Sequence, residues 1–218
     1  MATRNKKFRD GSVVRQICRL VIIGAVGLCL SFSLVLSQAL AGPPTDSMKG
    51  TIDEVLRIIR DKELKQAAKA EERRSLLEKV VAERFDYQEM SRRALGAPWN
   101  QLSDKEKQEF VSLFQTLLTS SYAEKVESYS GEGVQYLNER TEKDYAEVRT
   151  KILSGKTEIP LDYRLINRGT DWRVYDVVVD GVSLVNNYRG QFTKILRASS
   201  YPDLVDQLRK KSDKLKSP

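Results

Sequence analysis

The segment Trp172 to Phe192, WRVYDVVVDGVSLVNNYRGQF, constrains the fold more than any other part of the chain. A strand with one wet face alternates apolar and polar residues. Between Val174 and Val185 both alternating sets are largely apolar, with Val174 and Val178 on one side and Tyr175, Val177 and Val179 on the other. Such a strand is covered on both faces. Two arrangements produce that: a sheet packed between helices, and a sheet with packed core on one side and an apolar ligand cavity on the other. Asp176 lies inside the apolar run, and a carboxylate buried there needs a cation or hydrogen-bond donors. Arg164 and Arg189 are the candidate partners, and a core-organising ion pair is the expectation.

Hydrophobic periodicity sorts the rest of the chain around that strand. Thr51 with Glu54 has the capping-box spacing for a helix running towards Lys69, with Ile52, Val55, Leu56 and Ile59 on one stripe. Before it, residues 42–50, with Pro43-Pro44, read as a disordered leader. A second helix from about Glu72 carries Leu76, Leu77, Val80 and Val81 towards Phe85. Asp86 and Glu89 repeat the capping pattern for a short helix that Gly96 ends. Ser103 with Glu106 caps a long helix from Asp104 to about Tyr129, whose stripe is Phe110, Phe114, Leu117, Leu118, Tyr122 and Val126. After Gly131 the period changes to that of strands. Val134 to Arg140, Tyr145 to Leu153, Glu158 to Asn167 and Trp172 to Val179 are four expected strands, and the short turns between them require an antiparallel meander. Tyr188 to Arg197 and Pro202 to Lys211 close the chain as helices, leaving 212–218 as a basic tail. The expected fold class is α+β, a single domain over residues 51–211 with N-terminal helices, a four-stranded antiparallel meander sheet and C-terminal helices.

Composition narrows the function classes. Residues 1–41 have the make-up of an export signal peptide: a basic start with Arg4, Lys6, Lys7, Arg9, Arg15 and Arg19, an apolar run from Leu20 to Leu36, and Ala39-Leu40-Ala41 as a cleavage site before Gly42. That run is close to the minimum of about 17 residues that spans a bilayer, so an uncleaved anchor is the alternative. Both cysteines, Cys18 and Cys29, lie in this segment, and the exported chain of 177 residues would carry none. Disulfides then contribute nothing to the exported fold. The segment also holds six basic residues and one acid, so without it the formal charge falls from +7 to +2. That is not the balance of a nucleic-acid-binding protein. The chain has no histidine. With no cysteine in the expected exported part either, Ser-His-Asp and Cys-His catalysis, histidine-ligated zinc and the usual near-neutral proton shuttle are excluded. Carboxylate pairs such as Asp86 with Glu89, or Asp176 with Asp180, are better explained as caps and solvated turns than as a glycosidase pair. No phosphate-binding glycine loop, dinucleotide fingerprint or calcium loop occurs. No catalytic, metal or cofactor site is expected.

Two blocks of the sequence resemble a known family. Trp172, Val174, Tyr175, Asp176, then Gly181, Val182, Ser183, then Tyr188, Arg189, Gln191, Phe192 are similar to the C-terminal signature of the MlaC family, periplasmic phospholipid-shuttle proteins also known as toluene-tolerance proteins. Phe85, Asp86, Tyr87, Met90, then Ala94, Leu95, Gly96, Trp99 resemble that family's FD-aromatic-x-x-M…ALG-x-x-W segment, and the long helix follows at the family's spacing. The resemblance covers about Thr51 to Leu208. It implies a monomeric, non-enzymatic carrier in the periplasm. Its ligand would be a diacyl phospholipid, exchanged between an outer-membrane lipoprotein and porin complex and an inner-membrane ABC transporter to maintain outer-membrane lipid asymmetry. A carrier of a hopanoid or another lipid, and a protein-binding adaptor without lipid, stay open as alternatives. The resemblance also implies an apolar lipid cavity between sheet and helices. The residues expected to line it are Leu161, Tyr163 and Leu165, then Tyr175, Val177 and Val179, then Val182 and Leu184, with Phe114 and Leu118 from the long helix. Tyr188 and Arg189 are expected near the mouth, where a guanidinium can meet a phosphate.

Overall fold

Phe85 and Asp86 join the helical part of the chain to the sheet: Phe85 bridges Val174 in parallel, and the Asp86 amide donates to the Val174 carbonyl at 2.8 Å. The computed structural model of the protein describes residues 43–127, 129, 133–155, 157–169 and 171–216. The expected signal peptide lies outside them, and among the described residues no helix is long and apolar enough to cross a membrane. Four helices come first: α1 (Pro43–Arg60), α2 (Ala70–Arg84), α3 (Tyr87–Leu95) and α4 (Asp104–Glu127). Five strands follow, β1 (Gly133–Glu142), β2 (Tyr145–Ser154), β3 (Thr157–Asn167), β4 (Trp172–Val179) and β5 (Val182–Ser183), and then α5 (Leu184–Ala198) and α6 (Tyr201–Lys216). The strands lie in the order β1-β2-β3-β4-β5, all antiparallel, so the fold is α+β in one domain.

Local chemistry explains most boundaries. Asp86 Oδ1 accepts from the Glu89 amide at 2.8 Å, and Gly96 at φ 72° stops α3. Ser103 and Glu106 form the reciprocal box at the start of α4: Glu106 Oε2 accepts from the Ser103 amide at 2.8 Å, and the Glu106 amide donates to Ser103 Oγ. Between β4 and β5, Asp180 and Gly181 both take positive φ, 48° and 79°. That is the two-residue hairpin turn that adds a fifth strand to the expected four, with Val179 opposite Val182.

Both ends of the domain reach further than the sequence pattern suggests. Residues 43–50, expected as a disordered leader, are the first turns of α1. Proline is tolerated there because the first helical N–H groups lack intrahelical partners anyway. Thr51 is consequently no cap. Its hydroxyl donates to the Ser47 carbonyl one turn back, while Glu54 pairs with Arg57. At the other end α6 runs to Lys216, into the expected basic tail, because Leu204, Leu208 and Ser212 keep one buried face at helical spacing.

Three apolar clusters hold these elements. One joins α3, α4, α5 and α6 around Met90, Phe110, Phe114, Phe192 and Leu204. The second lies between the sheet and α1. The third fastens the end of α1 to α2 through Ile58, Ile59, Leu64 and Leu77.

Candidate functional site

Strand β4 carries one residue more than its partner. Leu165 pairs with Val174 and Arg164 with Asp176, leaving Tyr175 as the extra residue of a β-bulge. An inserted residue breaks the strict alternation at that point. Val174 therefore shares a face with Val177 and Val179, while Tyr175 packs on the helical cluster. Strict alternation grouped Val177 and Val179 correctly and misplaced both Val174 and Tyr175.

The face so formed is apolar across three strands. Leu161, Tyr163 and Leu165 of β3 stand opposite Val179, Val177 and Val174 of β4, and Ala146 and Val148 of β2 stand opposite Leu165 and Tyr163. Leu184 packs against the same cluster from the start of α5. Six of the expected lining residues thus meet on one surface: Leu161, Tyr163, Leu165, Val177, Val179 and Leu184. At the place expected for the cavity, Met48, Ile52 and Leu56 of α1 are packed onto the sheet. Those three α1 residues were not among the expected lining. Their spacing of four was the available signal, hidden because Met48 falls in the stretch taken for a leader.

The other expected site residues lie elsewhere. Phe114, Leu118 and Tyr188 belong to the helical cluster, with the Phe114 and Tyr188 rings edge to face at 5.2 Å. Val182 is 57% exposed in the short strand β5. Arg189 is exposed and lines a shallow cleft of about 280 Å³ with Arg92, Arg93, Gly96, Ala97 and Asn100. The two family-like blocks meet here: a Cβ built on Gly96 would stand 3.6 Å from the Arg189 guanidinium.

Two buried carboxylates near the sheet, Asp176 and Glu89, are tied down. Asp176, 3% exposed, accepts from Ser183 Oγ at 2.6 Å, from Arg164 at 3.1 Å and from the Val185 amide at 3.1 Å. Ser183 in turn caps α5 by accepting from the Asn186 amide. Arg164 is thus the partner of Asp176, and Arg189 is not. Arg93 stacks 4.1 Å from the Tyr175 ring centre and bonds the buried Glu89, which also receives two bonds from Arg92. Those bonds, the Arg92 contact foremost, hold the Glu89 carboxyl below its ordinary range. Burial pushes the Tyr163 hydroxyl far up, and that of Tyr136, on the edge of the apolar face, up to about 12. Both are neutral hydroxyls at any physiological pH. Among the described residues no group of three or more metal-ligating side chains comes together.

The arrangement buries apolar surface between α1 and the sheet. A structure of a phospholipid-binding protein from Ralstonia solanacearum, in complex with a phospholipid, is similar to this chain with a TM-score of 0.71 at 24% identity, covering 81% of this chain and all of that one. The intermembrane phospholipid transport system binding protein MlaC of Haemophilus influenzae is 23% identical over 122 residues, which span 53% of this chain and 57% of that relative's length. The model of the MlaC protein family matches residues 49–210, and the chain belongs to that family.

Proposed function

We propose that this protein is a periplasmic phospholipid carrier that passes lipid between an outer-membrane complex and an inner-membrane ABC transporter, leaving it chemically unchanged. The observation that carries this reading is the apolar sheet face of Tyr163, Leu165, Val174 and Val177, in a chain whose family match runs through all of its elements. Water exposure of each CH₂ costs about 0.8 kcal/mol, so two sixteen-carbon tails cost roughly 25 kcal/mol. A protein that covers them removes most of that barrier without bond chemistry. Leu161, Tyr163, Leu165, Val177, Val179 and Leu184 would line the tails. The exposed guanidinium of Arg189 is available to a phosphate. The names of the relatives favour a phospholipid over a polycyclic lipid.

A fluorescent phospholipid transferred between two vesicle populations tests this. The protein should raise the transfer rate in proportion to its concentration, and the recovered lipid should be intact. No acceleration would support the adaptor alternative, which the packed contact between α1 and the sheet also fits. Release of fatty acid or lysophospholipid that follows the protein through repurification would make it a hydrolase.

A further inference from the structure

Helix α1 has two differently anchored parts. From Thr51 onward it is fixed: Thr51 Oγ1 accepts from Arg84 Nε at 2.9 Å, and the same arginine bonds Asp171 and the Trp172 carbonyl at the start of β4. Ile58 and Ile59 then lock the end of the helix into α2. The first part, Pro43 to Lys49, has a separate hold: Pro44, Thr45 and Met48 are buried, and among the described residues none of its hydrogen bonds reaches another helix. Thr45 donates from its amide and its hydroxyl to one carboxylate oxygen of Glu139 on β1, at 2.8 and 2.6 Å. Lys49 sits 5.4 Å from the centre of the Tyr136 ring, and Pro44 and Met48 are the apolar anchors.

Gly50 separates the two parts. It is the weakest helix former available short of proline, and a Cβ there would meet nothing within 4 Å. No packing requirement explains a glycine at that position, whereas a bend would use one. Beneath the first part, the Tyr136 hydroxyl is buried without a hydrogen-bond partner among the described residues. Covering the sheet with this half-helix thus leaves a polar group unsatisfied, a cost carried by the closed arrangement. Two acyl chains would bury several times more methylene groups on the same face than Met48 gives up.

We propose that Pro43–Lys49 swings away about Gly50 as the acyl chains enter beneath it, beside Tyr136 and Met48. This rests on the carrier reading. It assigns the entry side to the β1 edge, with Glu139 as the contact that must open.

Hydrogen exchange followed by mass spectrometry tests it on the purified protein, stripped of lipid and then loaded with palmitoyl-oleoyl-phosphatidylglycerol. Loading should speed exchange at Thr45 and at Ser47 to Gly50 by about tenfold or more, with no such loss at Ile58 and Ile59. If no lipid loads, the carrier reading itself fails. Lipid that loads while the amides before Thr51 keep their protection overturns this proposal alone. Two variants add a rate test. Gly50→Ala stiffens the bend and should slow uptake from vesicles by about two- to fivefold, and Glu139→Ala should speed it. Uptake at the unmodified rate in both variants contradicts the swing.

Discussion

Asp176 shows how one residue organises the neighbourhood of the site. Its two oxygens hold the start of α5, the Ser183 cap and Arg164, so losing it leaves a buried amide without its acceptor and loosens that cap. Asp176→Ala should cost about 3 kcal/mol in urea unfolding. Arg164→Ala should cost clearly less, because the arginine is 36% exposed and water can replace its partner on that side. Equal costs would mean that the ion pair, rather than the hydrogen bonds to Ser183 and Val185, supplies the stability. Glu89 gives a pH signature. Its carboxyl is depressed from 4.5 by Arg92 and Arg93, so its contribution is full above that pH and is lost as pH falls through the lower folded value. Glu89→Gln should therefore reduce stability at neutral pH and flatten its decline below about pH 4, measured as melting temperature against pH. An unchanged acid limb would show that the pairs contribute nothing.

At the scale of elements, glycines with opposite roles give opposite signs. Gly181 holds φ 79° in the β4–β5 turn, so Gly181→Ala should destabilise by about 1 kcal/mol. Gly190 lies inside α5 with open space where a Cβ would point, so Gly190→Ala should stabilise by about 0.5 to 1 kcal/mol. Chemical denaturation of both decides, and matching signs would contradict the turn geometry. The parts legible from sequence are those written in local chemistry. Asp86, Gly96, Ser103 and Glu106 mark helix ends through bonds to their own neighbours. The strands β1 to β4 follow from period two. Two features depend on distant contacts and escaped the pattern. The Tyr175 bulge exists through pairing with β3, which moved Val174 to the face of Val177. The start of α1 is stabilised by Glu139, 94 residues away, so Pro43-Pro44 looked like a break.

For the whole molecule, the split of the expected site residues is the main outcome. Six gather under α1, three pack among the helices, Tyr175 turns towards those helices, Val182 stands in solvent and Arg189 opens on a separate cleft. Helix α1 covers the apolar sheet face through Met48, Ile52 and Leu56, which avoids exposing a large apolar patch to water. Val177→Trp places bulk in the middle of that face. It should reduce bound lipid well below one per chain while costing about 1 to 3 kcal/mol of stability, read by lipid extraction and thermal melting together. Retention of full lipid in that variant would move the acyl chains off this surface. The most direct measurement is native mass spectrometry of the protein purified from its own periplasm, with identification of whatever remains bound. One intact diacyl phospholipid per chain is the predicted result. A bare protein that stays bare after incubation with phospholipid vesicles, or one carrying a polycyclic lipid instead, would contradict it.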